Sequence, residues 1–468
     1  MSAKIIYLSL LFLSGCATLN QQASFRAVSA AVEERSGLKP AWNVGTELDR
    51  DATDKIQSLL KGKLNVDAAV QIGLLNNRDL QAIYSDMGVA QADLVQAGLL
   101  RNPVFDAAVT FPTSGGRPEF EITAVLNFLD VFYLPLRKRI AAARFEETRA
   151  RITGAVLDFA AQLRNAFYAH QANEQLVEFR RTAVEALSAS FEAARRLHEA
   201  GNISDLDFLR QRAPLEGSKL ALRSSEAAAA QTREQLNTLM GLWGEEAQWS
   251  IDARLPDLPA HPVAVEEIES AAIERSLDLA AARERIRAAG EQLGFAKWTA
   301  LLPDLGIGTR GERREGPWAV GPVLELPIPF FDQGQGRIGR AAAELRRAQQ
   351  EYNGLGVRIR SAARAIESQT QAAVDRALYY RDILLPLHER IVTETQLQYN
   401  AMQLGVFELI RARDQQIETA AGYAQALRDY WLARSDLETL LSGRLPRSVP
   451  GQTGPPGGQI TSNVAEGH

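Results

Sequence analysis

The chain has 468 residues, of which 46% are hydrophobic and 23% are charged, and its formal net charge is −5. This is the composition of a folded protein, and the chain has no basic block or basic-aromatic stripe, which argues against nucleic acid as a partner. No apolar run reaches the roughly 18 residues that a membrane-spanning helix requires.

Residues 1–15 are predicted to be a secretory signal peptide, because Lys4 precedes a short apolar core and a small-residue site. Leu13-Ser14-Gly15-Cys16 resembles the lipobox of bacterial lipoproteins, and Cys16 is the only cysteine. The resemblance implies cleavage before Cys16 and acylation of that residue with fatty acids such as palmitate, which anchor it in a membrane. Because Ala17 follows, it also implies sorting to the outer membrane. The alternative is that Cys16 is a buried or incidental thiol.

After a lipidated N-terminal extension, 16–63, the chain repeats itself with a period of about 200 residues. The matched segments, in the same order in both halves, are 77–82 with 276–281, 100–103 with 301–303, 201–209 with 405–410, and 236–241 with 437–443. We therefore expect two copies of one unit, 64–245 and 264–443, separated by the proline-rich linker 246–263.

Each copy is predicted to contain two β-strands followed by two long helices. In the first copy, apolar and polar residues alternate over 104–111 and 120–128. Period-two segments of roughly ten residues are typical of transmembrane β-strands. In the second copy, 305–313 is rich in glycine and 318–328 contains Pro322, which makes both weaker strand candidates. A half-buried hairpin of a soluble protein is the alternative interpretation.

Helical periodicity, almost uninterrupted by proline, predicts long helices at 136–200, 205–241, 337–404 and 406–441. Pro386 is expected to kink or interrupt the third of them. A helix of about 60 residues is roughly 90 Å long, so it cannot bury one face inside a compact domain and needs neighbours along its whole length. The glycine- and proline-rich tail, 444–468, is predicted to be disordered.

No segment assembles a catalytic or metal site. The segment 334–339 matches a dinucleotide-binding fingerprint, but Pro327 and Pro329 precede it and the following helix is several times too long for a βαβ unit. The five histidines are scattered, with no ligand spacing and no nucleophile motif beside them. We therefore expect a protein that is not an enzyme and that needs no cofactor or metal.

Four strands per chain cannot close a barrel. An open sheet edge in lipid leaves unpaired backbone groups that cost several kcal/mol each, and the smallest barrels have about eight strands. A conducting pore therefore requires at least three chains, and three give about 12 strands around a lumen. The expected fold is mixed but mainly α, with a strand-strand-long helix-long helix unit repeated twice per chain. Three chains would form a 12-strand β-barrel that continues as a periplasmic α-helical barrel.

These features together resemble the TolC-like outer-membrane efflux family, in its lipoprotein branch, over residues 64–443. The similarity is strongest in 323–334, with its strand, paired prolines and Asp-x-Gly exit into a helix, and in 399–443, which is similar to the family's periplasmic tip. The resemblance implies a homotrimer in the outer membrane that docks to a periplasmic membrane-fusion adaptor and an inner-membrane RND-type pump. It also implies a passive exit duct for drugs, organic compounds or heavy-metal ions. The alternatives are an outer-membrane channel for type I protein secretion and a periplasmic coiled-coil lipoprotein without a pore.

In the family that the chain resembles, acidic side chains ring the closed aperture at the tip. Here Gly201 and Gly405 are the predicted tip turns, and the second turn is expected to be about two residues shorter than the first. The family's aspartate pair is absent, and the charged residues nearest to the expected aperture are Glu408, Arg411, Asp205 and Asp207. Our hypothesis is that Glu408 and Arg411 form an intersubunit charge ring that helps to hold the tip closed. The alternative is that they are ordinary solvated turn charges.

Overall fold

The computed structural model of the protein describes residues 21–43, 47–113, 115, 117–259, 267–301, 305–314 and 316–446. The predicted signal peptide, Cys16 and the tail beyond residue 446 lie outside the described residues, so the predictions for them stay predictions. Among the described helices, none combines the length and the apolarity that crossing a membrane would require.

The described part of the chain is mainly helical. Its α-helices are α1 Gln21–Ser36, α2 Glu47–Leu60, α3 Val66–Asn76, α4 Arg78–Ala97, α5 Asp130–Glu199, α6 Asp205–Met240, α7 Ile268–Arg275, α8 Leu277–Leu301, α9 Gln335–Tyr379, α10 Leu385–Asn400 and α11 Val406–Leu441. Its strands are β1 Lys63–Leu64, β2 Val104–Thr110, β3 Glu119–Asn127, β4 Ser250–Ile251, β5 Gly306–Arg313 and β6 Ala319–Glu325.

These elements fold into two compact units, each assembled from separated segments of the chain. Unit 1 consists of residues 1–28, 84–149 and 281–350, and unit 2 of residues 29–83, 150–280 and 351–468. Each unit takes segments from both predicted copies, so the compact units do not coincide with the copies at 64–245 and 264–443.

Unit 1 contains an antiparallel four-stranded sheet in the order β2-β3-β5-β6. The two strands of each copy form a hairpin, and the two hairpins join where β3 pairs with β5. Gly308 permits this junction, because a Cβ there would lie 2.1 Å from the carbonyl oxygen of Ala124. Pro322 lies in β6, an edge strand of the sheet, which is where a proline is tolerated because one side of the strand needs no backbone partner.

α5 is a continuous helix of 70 residues, about 105 Å long at 1.5 Å per residue. It begins at Asp130, six residues before the predicted start, so Pro135 lies inside the helix. The buried carboxylate of Asp130 accepts hydrogen bonds from the backbone N–H of Arg101, at 2.9 Å, and from Arg137 Nη2, at 3.0 Å. These bonds fix the first turn, and a proline so close to the helix start removes only one backbone hydrogen bond.

Pro386 interrupts the third long helix through a π-helical turn, Tyr380–Leu384, which separates α9 from α10. Proline has no N–H to donate, and the wider turn before it accommodates the missing hydrogen bond. The turn also brings Tyr380 against α11 at Gly422, where a Cβ would lie 2.8 Å from the ring. α10 then ends at Asn400, four residues before the predicted end of the helix.

Small and branched apolar side chains form the core of unit 2. One buried cluster consists of Ile268 and Ala272 of α7, Leu279 of α8, Ile359, Ala362, Ala363 and Ile366 of α9, Leu437 and Leu440 of α11, and Leu445. Alanine at these positions lets helix backbones approach closely, so helices too long for a globular core are packed side by side.

Candidate functional site: a two-faced sheet and two helical tips

The sheet of unit 1 has one apolar face and one polar face. Residues directly opposite each other in adjacent strands share a face, so the strand register assigns each residue to one of them. The apolar face carries Phe105, Ala107, Val109, Phe120, Ile122, Ala124, Leu126, Ile307, Thr309, Gly311, Val320, Pro322 and Leu324. The polar face includes Asp106, Thr110, Glu119, Glu121, Thr123, Asn127, Arg310, Glu312 and Glu325.

The apolar face is exposed in the protomer. Phe105 is 74% exposed, Val320 72% and Leu324 68%. Single exposed apolar side chains are ordinary, but a whole sheet face of them marks a surface that meets lipid or another protein. The outer strands β2 and β6 are also open edges, which present unpaired backbone N–H and C=O groups.

Polar and charged side chains dominate the opposite face. Five carboxylates and one arginine stand on it, and Arg310 Nε lies 3.0 Å from Glu121 Oε1. A sheet that is apolar on one side and charged on the other has the residue pattern of a transmembrane pore wall, in which lipid covers one face and water the other.

Aromatic residues mark the end of the sheet at which all four strands connect to helices, which we call the helix-connected end. The exposed rings there are Phe128, Phe132, Phe330 and Phe331. Phe331 is 96% exposed. The opposite end, where β2 turns into β3 and β5 into β6, is the hairpin end, and it carries Phe111 and Trp318. Aromatic rings at both limits of an apolar band are typical of membrane–water interfaces.

Unit 2 presents two helical hairpins whose turns have the same design. Tip 1, residues 200–204, joins α5 to α6, and tip 2, residues 401–405, joins α10 to α11. Each first helix ends with a backbone hydrogen bond that spans five residues: from Asn202 to Leu197 at 2.8 Å, and from Gln403 to Gln398 at 2.9 Å. This is the Schellman motif, which places the residue before the donor in the left-handed region.

Both turns have five residues, so the expectation that tip 2 is about two residues shorter is wrong. Gly201 is the left-handed residue of tip 1, with φ +74°, and its counterpart in tip 2 is Met402, with φ +58° and 94% exposure. Gly405 has φ −80° and is the N-cap of α11, the position that Ser204 occupies in tip 1. Glycine is common at both ends of such a turn, and aligning the copies on their glycines therefore displaced the correspondence by three residues.

The charged candidates of tip 2 pair with each other within one chain. Glu408 Oε1 lies 3.2 Å from Arg411 Nη1, one helical turn away, and both side chains are at least half exposed. Asp207 and Arg210 form the equivalent pair in tip 1, at 3.4 Å. The structure thus brings Glu408 and Arg411 together and places Asp205 and Asp207 on the other hairpin.

Tip 1 is held by more contacts than tip 2. Ser204 Oγ accepts from the N–H of Asp207 at 3.2 Å and caps α6, whereas Gly405 offers α11 no side-chain cap. Asp205 hydrogen-bonds to His198 Nε2 at 2.5 Å, and the His198 ring stacks on Phe208 with 4.8 Å between centroids. Tip 2 therefore combines an uncapped helix start with a strained methionine, and it is the less constrained of the two turns.

Unit 2 contains a buried ion cluster that was not predicted from the sequence. Arg444, just after α11, donates to Asp158 Oδ1 at 2.9 Å and to Asp158 Oδ2 at 2.5 Å, and it also bonds to Asp278. Gly154 makes room for it, because a Cβ there would lie 2.8 Å from Arg444 Cδ. The cluster ties the end of α11 to α5 and α8. The sequence assigned Arg444 to the tail predicted to be disordered, and this is wrong at that residue, because the structure buries Arg444 between Asp158 and Asp278.

His170 of unit 2 is a buried histidine. His170 on α5 has a fully buried side chain, bonds through Nδ1 to Thr232 Oγ1 at 3.0 Å and stands edge-on to Trp249, 5.4 Å between centroids. Burial, with the charge of Arg233, lowers the pKa of His170 to about 4. At neutral pH this histidine is therefore an uncharged core residue. In the part of the chain that the structure describes, no group of three or more His, Cys, Asp or Glu residues is placed to hold a metal ion.

Known structures share this fold. The chain matches the outer-membrane channel OprN with a TM-score of 0.66 and 17% identity, over 88% of this chain and 96% of that one. The two-faced sheet and the paired helical hairpins therefore constitute the fold of an outer-membrane channel protein.

Sequence comparison finds relatives among efflux proteins. Residues 69–242 match the model of the outer membrane efflux protein family. The chain is 24% identical to the cobalt-zinc-cadmium resistance protein CzcC of Cupriavidus metallidurans, over 81% of this chain and 90% of that protein. It is also 24% identical to the antibiotic efflux pump outer membrane protein ArpC of Pseudomonas putida, over 68% of this chain and 69% of that protein. Over residues 69–242 the chain is therefore similar to the outer membrane efflux protein family, and the proteins that it resembles are outer-membrane efflux channels that extend into the periplasm.

Proposed function

We propose that this protein is the exit duct of a tripartite efflux pump, a passive channel through which an inner-membrane transporter discharges small solutes from the cell. The observation that carries the proposal is the sheet with one apolar face, one charged face and two open edges. It supports a wall whose apolar side meets lipid and whose charged side meets a water-filled lumen.

Closure of that wall requires more than one chain. The edges β2 and β6 would leave unpaired backbone groups in lipid, at a cost of several kcal/mol each. Pairing β6 of one protomer with β2 of the next satisfies both edges, and three protomers give a 12-strand barrel. The proposed assembly is therefore a homotrimer in which the long helices of unit 2 form an α-helical barrel in the periplasm, with a membrane-fusion adaptor and an RND-type pump as partners.

A matched pair of substitutions on β6 tests the two faces. Val320 and Val323 differ in face, being opposite Gly311 and Gly308 respectively. Val320→Arg would place a charge in lipid at a cost of about 2–4 kcal/mol near the bilayer midplane, and should abolish trimer insertion. Val323→Arg should leave assembly intact and change the ion selectivity of single channels in planar bilayers. Equal behaviour of the two variants, or absence of any current from the wild type, would refute the duct.

The relative matched over the larger share of the chain favours heavy-metal ions as the cargo, because the Cupriavidus protein is a cobalt-zinc-cadmium resistance protein. The Pseudomonas putida relative is an antibiotic efflux component, so organic compounds are the competing class. Growth of a deletion strain on cobalt, zinc and cadmium salts should be impaired and restored by the full-length gene. Impaired growth on antibiotics alone would assign the organic class.

We propose that Glu408 and Arg411 contribute to a closed tip. Their position beside the less constrained turn, and their exposure, support contacts with neighbouring subunits. Glu408→Ala should raise single-channel conductance, while Glu389→Ala, an exposed charge further up α10, should not. Unchanged conductance and selectivity in Glu408→Ala would leave the pair as a solvated turn charge, bonded within its own chain.

Lipid attachment at Cys16 is part of the same proposal. The lipobox-like sequence supports it, and the residue itself lies outside the described residues. Labelled palmitate should be incorporated into the wild type and not into Cys16→Ser, and equal labelling of both proteins would exclude this anchor.

A further inference from the structure

One charged side chain stands on the apolar face of the sheet. Arg313, the last residue of β5, is directly opposite Phe120 of β3, and Phe120 belongs to that face. Among the described strand residues it is the only charge on this side. A charge facing lipid is costly at the midplane of a bilayer but costs little near its surface, where it can meet phosphate groups.

Two further arginines lie beside it. Arg117, Arg313 and Arg314 line one cleft of about 650 Å³ at the hairpin end of the sheet, together with Phe120 and Trp318. The cleft lies between the two turns of the sheet. Three arginines therefore line one cleft at the hairpin end of the sheet, next to the apolar face.

These charges are only partly compensated. Arg314 lies 3.8 Å from a Glu119 carboxylate oxygen and 3.6 Å from a Glu312 carboxylate oxygen, so it is the weakly paired member. Arg313 donates from Nε to the carbonyl oxygen of Gly316 at 3.2 Å. Within the described residues, neither Arg117 nor Arg313 forms an ion pair. Among the described residues, Arg117 and Arg313 therefore have no carboxylate partner in this cleft.

The position of the cleft on the sheet indicates which kind of ligand it would bind. The four strands connect to helices at one end of the sheet, and in this family the helices extend into the periplasm, so the hairpin end lies at the outer surface. The lipid of that surface carries phosphate groups on a sugar headgroup. Arginine binds phosphate through two parallel hydrogen bonds, and a flanking aromatic ring suits the depth at which headgroup and acyl chain meet.

We propose that Arg117, Arg313 and Arg314 form a binding site for the phosphate groups of the phosphorylated glycolipid in the outer leaflet, with Phe120 and Trp318 against its acyl chains. The inference rests on the proposed function in one respect, namely that the apolar face meets lipid. The proposed ligand is bound at the rim of the duct and is not transported through it.

The test uses the full-length trimer, purified in detergent, and diphosphorylated lipid A as the probe. Binding is measured by native mass spectrometry, against the same lipid with its phosphates removed. Arg313→Gln should weaken binding of the diphosphorylated lipid by about tenfold or more, as expected for loss of a bidentate phosphate contact. The matched control is Arg310→Gln on the same strand, which removes the same charge from the opposite face and should bind as the wild type does.

Three results would overturn the proposal: wild-type affinity in Arg313→Gln, equal binding of the phosphate-free lipid, or displacement of the lipid by millimolar inorganic phosphate. If Arg313→Gln fails to assemble, Arg117→Gln, in the turn outside the strands, gives the same comparison. Single-channel current of the wild type is recorded separately. If the wild type carried no current but still bound the lipid in an arginine-dependent way, the proposed duct function would be refuted and the lipid site supported.

Discussion

Replacing Arg444 by methionine removes the cation that lies between two carboxylates of unit 2. The side chains of Arg444, Asp158 and Asp278 are 19%, 12% and 22% exposed. Removing one partner of a buried ion pair leaves a buried charge without compensation and typically costs about 3–5 kcal/mol. Here two carboxylates would be left facing each other, so we expect Arg444→Met to fall in that range.

The loss should depend on pH in a defined direction. Burial raises the pKa of Asp278, and the neighbouring Arg444 opposes that rise. Without the arginine, only the hydrogen bond from the N–H of Leu445 opposes burial and Asp158, so the pKa of Asp278 in the folded protein rises further. A carboxyl group whose folded pKa exceeds its unfolded value stabilises the fold only at low pH and loses that contribution as pH rises. The deficit of Arg444→Met should therefore be largest at neutral pH and should shrink towards about pH 4.

The assay is the apparent midpoint of thermal unfolding of the purified full-length protein, followed by far-UV circular dichroism across this pH range. The matched control is Arg364→Met, which breaks the exposed pair with Glu269, 61% and 38% exposed, and should cost at most about 1 kcal/mol. If Arg444→Met were no less stable than Arg364→Met, or if its deficit did not vary with pH, the buried cluster would not have the energetic role assigned to it.

Three further predictions concern unit 2. Met402→Gly should slow hydrogen exchange at the end of α10, because glycine adopts φ +58° without the cost of about 1 kcal/mol that a side chain incurs there; equal slowing in Met402→Ala would argue against strain. Burial lowers the pKa of His170 to about 4, so the wild type should lose up to about 3 kcal/mol more stability than His170→Gln as pH falls from about 6.5 to 4. Equal loss of stability in the two proteins over this pH range would contradict the prediction. Gly422→Ala should destabilise the protein by about 1–3 kcal/mol, because the added Cβ would lie 2.8 Å from Tyr380. The control Gly217→Ala, in open space on α6, should stabilise the protein by up to about 1 kcal/mol. If the two substitutions shifted the midpoint of thermal unfolding equally, the prediction would be refuted.

The period-two segments were readable in the sequence because side chains alternate between the faces of any strand. The structure places β2 and β3 within one residue of the predicted bounds at each end, and even the glycine-rich β5 spans Gly306–Arg313. What alternation could not supply was the register. Only the pairing of β3 with β5 assigns Arg313 to the apolar face, because a shift of one residue would have moved it to the other side.

The tips illustrate the opposite case. Both turns contain a glycine, and residue type alone suggested that Gly201 and Gly405 correspond. Glycine serves equally well as a left-handed helix terminator and as an N-cap, so its presence does not say which role it has. The backbone hydrogen bonds of Asn202 and Gln403 identify Met402 as the counterpart of Gly201.

By itself, the sequence determined the mainly helical composition, the approximate positions of the long helices and strands, and the resemblance to an outer-membrane efflux family. These follow from periodicity and local motifs, which are properties of neighbouring residues. Only the tertiary structure decided which residues share a face, which turn positions correspond and which charges are buried. The fold brings together Asp158, Asp278 and Arg444, which are far apart in sequence. The residues adjacent to each of them in sequence do not indicate this contact.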